Sequence, residues 1–247
     1  MDILEENAMS VPEACNLWYY RAKYGVVCDS IGTKQEGRTL ADVGCGLGVF
    51  LHLLKKSGWS EDALTGVDIA IEEARKDKEG GFWLVPQMPE GKRYDVILMM
   101  DVLEHCPDPL SVLKEGVDHL SDGGRIVITV PAFQWLWTAH DVFLKHYRRY
   151  TLGMLKDLIQ KEGRLRVVHG HYFYGLLFPV MVFFRLLSKL TKKPPGGLKP
   201  LPEIVNNFLV AVCRLERFFM RCNRIAGMTV VAICEPVKSP EQRKISE

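Results

Sequence analysis

Along the first two thirds of the chain, short, mostly apolar runs alternate with stretches of helical spacing. Thr39-Leu-Ala-Asp-Val43 is an apolar run ending in glycines, the pattern of a buried strand, and Phe50 to Ser57 follows with helical periodicity. The alternation repeats. Ala63–Val67 reads as a strand and Ala70–Lys78 as a polar helix, with Gly81–Val85 as a third strand. Tyr94 to Met100 (YDVILMM) is the most apolar strand candidate, with its helix over Pro109–Leu120. Gly124–Val130 (GRIVITV) and a helix over Leu152–Glu162 come next, and further strands fit at Leu165–His169 and Met228–Cys234. Alternation at this spacing predicts an α/β fold, a doubly wound, mostly parallel sheet of seven strands covered on both faces. Right-handed crossovers bring the carboxyl ends of such strands to one edge, where ligands bind.

This pattern divides the chain. Residues 1–38 form a helical lead-in with Trp18, Tyr19 and Tyr20 as an aromatic face, and residues 39–171 with 228–235 form the core. Residues 172–227 are an apolar and basic helical insertion, and residues 236–247 a polar tail. Within the insertion, Tyr172 to Phe184 (YFYGLLFPVMVFF) carries no charge, and Pro179 is expected to kink it. Ile204 to Met220 is a second amphipathic stretch, beyond a hinge at Lys192–Pro202. From Arg185 to Arg224 there are nine Lys and Arg against two Glu, so the basic charge is concentrated here. An apolar stretch with basic flanks, too short to span a bilayer, suits a membrane interface; a lid over the core and a dimer face are the alternatives.

Composition narrows the class only a little. Apolar residues at 47% and charged residues at 25% are ordinary for a globular protein, and a net charge of +2 argues against a nucleic-acid binder. The seven cysteines include no C-x-x-C pair and read as reduced thiols. No secretory signal and no spanning helix are expected, so the chain is placed in the cytoplasm, with peripheral contact at the inner membrane face as the variant.

The first strand leads into Asp42-Val-Gly44-Cys-Gly46-Leu-Gly48. Glycines there let the backbone turn sharply and approach a ligand, and the next helix aims its free N–H groups at it. Asp68 closes the second strand, where a carboxylate can accept hydrogen bonds from ribose hydroxyls. The spacing is G-x-G-x-G, not the G-x-G-x-x-G of dinucleotide sites. Asp42 would repel a phosphate but suits the ammonium of an amino-acid moiety. Both features point away from a nicotinamide cofactor.

ADVGCGLGVF, GVDIA, YDVILMMDVLEH and LSDGGRIVITVPA, in this order and spacing, resemble the successive motifs of class I S-adenosylmethionine-dependent methyltransferases over about residues 15–170. The resemblance implies a Rossmann-like sheet in the order 3-2-1-4-5-7-6 with a reversed final strand. It also implies S-adenosyl-L-methionine as cofactor, with Gly44, Gly46 and Gly48 flanking its methionine portion and Asp68 its ribose. Val85–Gln87 would line the adenine, although Pro86-Gln87 stand where the family often has Asp. Met100 and Asp101 would face the sulfonium region.

Two clusters compete for the acceptor chemistry. In Asp101-Val-Leu-Glu104-His105, His105 is a candidate base or polar wall, unless it and Glu104 only cap the next helix. The second is His140-Asp141…His146-Tyr-Arg148-Arg149-Tyr150-Thr151, which resembles a VPA…HD…HxRRYT pattern in a methyltransferase subgroup linked to surface-polysaccharide or lipid metabolism. His140 with Asp141 would form an oriented base. His146, Arg148, Arg149 and Tyr150 would bind substrate, the arginines gripping a phosphate or carboxylate; the alternative makes this segment a helix entry held by salt bridges. A metal on His140, Asp141 and His146 is not expected. The reading is a methyltransferase for a small or lipid-linked metabolite, such as a glycan or lipid intermediate. A soluble quinone-like acceptor, or a non-catalytic membrane-surface scaffold, is the alternative.

Overall fold

The computed structural model describes residues 9–32, 36–191 and 200–237. Strands β1 (Leu40–Val43), β2 (Leu64–Val67), β3 (Arg75–Lys76), β4 (Trp83–Val85), β5 (Tyr94–Met100), β6 (Leu120–Pro131), β7 (Leu165–Phe173) and β8 (Thr229–Pro236) form one sheet. Its order is β3-β4-β2-β1-β5-β6-β8-β7. β1, β2, β4, β5 and β6 run parallel, while β8 lies antiparallel between β6 and β7. This is the expected doubly wound order with one strand more at its edge.

That extra strand replaces a predicted helix. Residues 72–76 of the stretch Ala70–Lys78 are all exposed, and among its apolar side chains only Ile71 is buried deeply. With no apolar stripe to dock, a helix there has nothing to pack against, and Arg75–Lys76 instead add a short antiparallel edge to β4.

β5 shows how the sheet is covered. Val96, Leu98 and Met100 point into one apolar layer with Phe50, Leu51 and Leu54, whereas Ile97 and Met99 point into the other with Leu113, Leu155 and Ile159. Period-two alternation with both sides apolar is what a central strand of a two-faced sheet requires. Helices α1 (Val11–Asn16), α2 (Trp18–Ile31) and α3 (Val49–Lys56) lie on the first face. Helices α4 (Pro109–Asp118) and α6 (Leu152–Glu162) lie on the second, and α5 (Ala139–Phe143) stands in the loop after β6. Asp108 caps α4 by accepting from the N–H groups of Leu110 and Ser111, and Thr151 caps α6 through Met154 N–H.

The apolar stretch after β7 differs from expectation at its start. Tyr172 and Phe173 still belong to β7, and the helix α7 begins only at Phe178, running to Thr191. Pro179 therefore sits in the first turn, where its missing N–H costs nothing, and it starts the helix instead of kinking it. α8 (Glu203–Arg217) packs on α2. Asn206 accepts from Trp18 N–H at 2.7 Å and donates to Asn16 O at 2.9 Å, and Arg217 makes two 2.6 Å contacts to Asp29. Lead-in and insertion thus meet over β7 and β8, with Val26, Phe173, Cys213 and Val231 in a shared apolar cluster. Most of the hinge at Lys192–Pro202, and the tail from residue 238, lie outside the described residues.

Candidate active site

Gly44, Gly46 and Gly48 have φ of 68°, 52° and 73°, which only glycine adopts without strain. At Gly48 the space is also closed, since a Cβ would approach the Phe82 ring to 3.2 Å. Gly44 N–H donates to Val67 O at 2.7 Å, tying the turn to β2. Asp68, directly after β2, accepts from Gly46 N–H and from Ala70 N–H, each at 2.9 Å. Asp42 is wholly buried beneath the turn. A positive-φ glycine cradle with one carboxylate under it and another at its rim offers acceptors for an amino-acid ammonium and for ribose hydroxyls. These residues fit S-adenosylmethionine. Val85 and the backbone at Pro86 lie one strand farther along the same edge, as β4 pairs with β2.

Past β5 the chain makes a left-handed step, with Asp101 at φ 56°. Three groups hold it there: Thr129 Oγ1 donates to one carboxylate oxygen at 3.0 Å, and Tyr19 OH donates to the other at 2.8 Å. That second oxygen also pairs with the ammonium of Lys23, which is 1% exposed. Tyr19 and Lys23 come from one face of α2, four residues apart. Met100 is buried beside this network, its sulfur 4.0 Å from Thr129 Oγ1.

Asp101 forms part of the wall of a cavity of about 160 Å³. Trp18, Tyr19 and Tyr174 line one side, with Leu177 and Met181; Glu104, His140, His146, Arg149 and Arg185 supply polar groups. Tyr19 and Tyr174 are stacked, with ring centroids 5.9 Å apart and planes 9° from parallel.

At the polar end Asp141 is the organising residue. It is fully buried and accepts from Thr138 N–H at 2.8 Å, Arg149 Nε at 2.6 Å and Arg185 Nη1 at 3.3 Å, with His146 Nδ1 at 3.1 Å. Burial alone would raise its pKa; the His146 hydrogen bond and the Arg149 guanidinium outweigh that and hold it well below the usual carboxylate range. Arg185 is pushed down to about 10 by burial and by Arg149 beside it. Glu104 is fully buried as well, and burial followed by the Asp101 charge lifts it to about 8.

A family model described as a methyltransferase domain matches residues 20–172. The chain belongs to this methyltransferase family. With the sheet described above it is a class I methyltransferase, whose donor is S-adenosylmethionine. It is 24% identical over 131 residues to the ubiquinone biosynthesis O-methyltransferase of Hydrogenovibrio crunogenus, 48% of either chain. To the aklanonic acid methyltransferase of a Streptomyces species it is 32% identical over 117 residues, 42% of this chain and 53% of that one. The alignments span about half the length of these curated relatives. Among solved structures, coclaurine N-methyltransferase bound to N-methylheliamine and SAH superposes with a TM-score of 0.54 at 15% identity, covering 87% of this chain and 70% of that one. A SAM-dependent methyltransferase from Archaeoglobus fulgidus gives 0.50 at 19% identity, covering 88% and 92%. At such identities the likeness concerns the fold.

Several site residues of this methyltransferase stand differently from the sequence expectation. Asp141 orients His146, so the expected His140–Asp141 base becomes an Asp141–His146 pair, with His140 elsewhere on the cavity wall. Arg149 reaches the cavity, but its guanidinium is committed to Asp141 and to Ala132 O at 3.0 Å. Arg148 turns away to donate to Cys106 O and Pro107 O. Tyr150 is buried, its OH on Leu103 O at 3.2 Å. Arg148 and Tyr150 therefore brace the loop, because an arginine or tyrosine beside unpaired carbonyls satisfies them before any ligand arrives. Sequence reasoning missed Tyr19, Lys23, Tyr174 and Arg185. The signals were the i, i+4 pairing of Tyr19 with Lys23 and an arginine that directly follows the uncharged run Phe178–Phe184 within one helix.

Proposed function

We propose that this chain transfers a methyl group from S-adenosylmethionine to an oxygen of a small, flat acceptor. When bound, the donor supplies an activated methyl on sulfur. The protein's tasks are to align the acceptor oxygen, take its proton and exclude water. The cavity beside Asp101 carries this reading: stacked Tyr19 and Tyr174 offer a face for a planar body, and the opposite end is polar. His140, half-buried on that wall, is assigned as proton acceptor, since it can pass the proton on to solvent. Relatives named as a ubiquinone biosynthesis O-methyltransferase and an aklanonic acid methyltransferase support a small-molecule acceptor, the first by its name one methylated on oxygen. The test is incubation with labelled donor and a panel of phenols and catechols. Label on oxygen, lowered about 10²-fold in His140→Gln, is expected. Failure of S-adenosylhomocysteine to stabilise the protein, where saturation at 100 times its Kd adds about 2.7 kcal/mol, would sink the reading.

A lipid-linked acceptor, including the glycan intermediates considered above, is a second reading with its own support. Met181 and Arg185 of α7 face the cavity, while Val180, Phe183, Phe184 and Leu187 of the same helix are exposed. An apolar tail leaving the cavity would run along this helix onto a membrane surface. Among the described residues no helix is long and apolar enough to cross a membrane. Vesicles with anionic lipid should carry the protein upward in a flotation gradient at low salt; recovery in the soluble fraction alone counts against it.

A further inference from the structure

Glu104, His105 and His146 each offer one donor atom, and these atoms lie within 4.8 Å of one another. Glu104 is 0% exposed, and among the described residues neither of its carboxylate oxygens has a hydrogen-bond donor. A buried carboxylate without a donor is costly, and one remedy is a cation held against it.

The surroundings are built to keep the three donors together. His105 and His146 meet edge to face with ring centroids 4.6 Å apart. Tyr147 N–H donates to Glu104 O at 2.8 Å, Tyr150 OH to Leu103 O, and Arg148 to Cys106 O and Pro107 O. The loop carrying His146 is thus stitched along both sides of Glu104-His105. Asp141 holds His146 through Nδ1, which leaves Nε2 as the ring atom on the far side. A carboxylate on the outer nitrogen of an imidazole is the arrangement that orients metal-bound histidines.

We propose that Glu104, His105 and His146 form a binding site for a divalent transition-metal cation, with Asp141 positioning His146. Two imidazoles and one carboxylate favour Zn²⁺, Mn²⁺, Fe²⁺ or Co²⁺ over the all-oxygen coordination of Mg²⁺ or Ca²⁺. Around a tetrahedral ion with bonds of about 2.0–2.2 Å, donors sit roughly 3.4 Å apart, so side-chain rotations of about an ångström complete the site. Three protein ligands leave a position open, and Glu104 and His146 both border the cavity. If that cavity is the acceptor site, the open position takes the acceptor's hydroxyl and lowers its pKa. The use of the ion rests on the proposed function; its presence does not.

The test is titration of chelator-treated full-length protein with Co²⁺. Expected are visible absorption bands saturating at one ion per chain and two paramagnetically shifted imidazole N–H resonances. Glu104→Gln and His105→Asn should each bind Co²⁺ at least about 100-fold more weakly while melting cooperatively. Absent bands, a histidine count other than two, or Glu104→Gln binding as tightly as the parent overturns the site. Should a variant not fold, the bands and histidine count of the parent protein still decide. S-adenosylhomocysteine is titrated into the same samples. Nucleoside binding without Co²⁺ binding removes the metal and keeps methyl transfer, and the reverse result removes methyl transfer and keeps the metal.

Discussion

Asp42, the glycine turn and Asp68 all lie within one strand–helix–strand unit, whereas the cavity beside them draws Tyr19 from α2, Asp101 from the end of β5, His146 and Arg149 from the loop after β6, and Arg185 from α7, with Lys23 paired to Asp101 and Asp141 to Arg149. The donor half needs few charges and satisfies them locally, with backbone N–H groups of Gly46 and Ala70 on Asp68. The acceptor half buries Lys23, Asp101, Glu104, Asp141 and Arg149, each 8% exposed or less. Its stability depends on charges brought together from distant segments. The donor half is therefore expected to lose chiefly ligand on substitution, while the acceptor half loses structure.

Lys23→Met sharpens this contrast most. It strands Asp101 in the interior without its cation, which costs about 3–5 kcal/mol for a broken buried pair. Denaturant unfolding should show that loss, and adding Asp101→Asn should restore most of it; an unchanged midpoint for Lys23→Met would break the contrast. Next is His171 on β7, fully buried, with neither ring nitrogen hydrogen-bonded among the described residues. Burial, then Arg224 and Arg221, bring its pKa down from 6.5 to about 4. The unfolded chain takes up this proton first, so the contribution is complete above about pH 6.5 and is lost as pH falls towards 4, about 3 kcal/mol in all. His171→Leu should flatten the stability profile across that window. Asp68→Ala should weaken S-adenosylhomocysteine binding about 100-fold in calorimetry, by removing the carboxylate that would accept from the ribose hydroxyls, and should also lower the melting temperature, because Gly46 N–H and Ala70 N–H lose their acceptor. Smallest is Arg217→Ala, which releases the half-exposed pair with Asp29 between α2 and α8 and should cost about 1 kcal/mol of unfolding free energy.

The insertion repeats the lesson at the level of charge. Its excess of basic residues, read as flanks for a membrane interface, is partly spent inside the molecule. Arg185 turns into the Asp141 network, Arg217 pairs with Asp29, and Arg221 donates to Asp29 O at 2.7 Å. The exposed Phe183, Phe184, Phe208 and Phe218 remain as its apolar outer surface.

The order of strands, the glycine turn, the acidic residue after β2 and the methyltransferase family are local facts. Each rests on periodicity, on backbone freedom at particular glycines, or on residues a fixed few positions apart, and these properties belong to the chain before it folds. Why Ala70–Lys78 is not a helix depends on its having no apolar surface to cover. That Asp141 serves His146, that Lys23 closes on Asp101, and that Glu104 lies buried beside His105 and His146 depend on which segments the sheet brings to one edge. Partner choice among ionisable side chains follows distance and burial, and only the packed molecule supplies both.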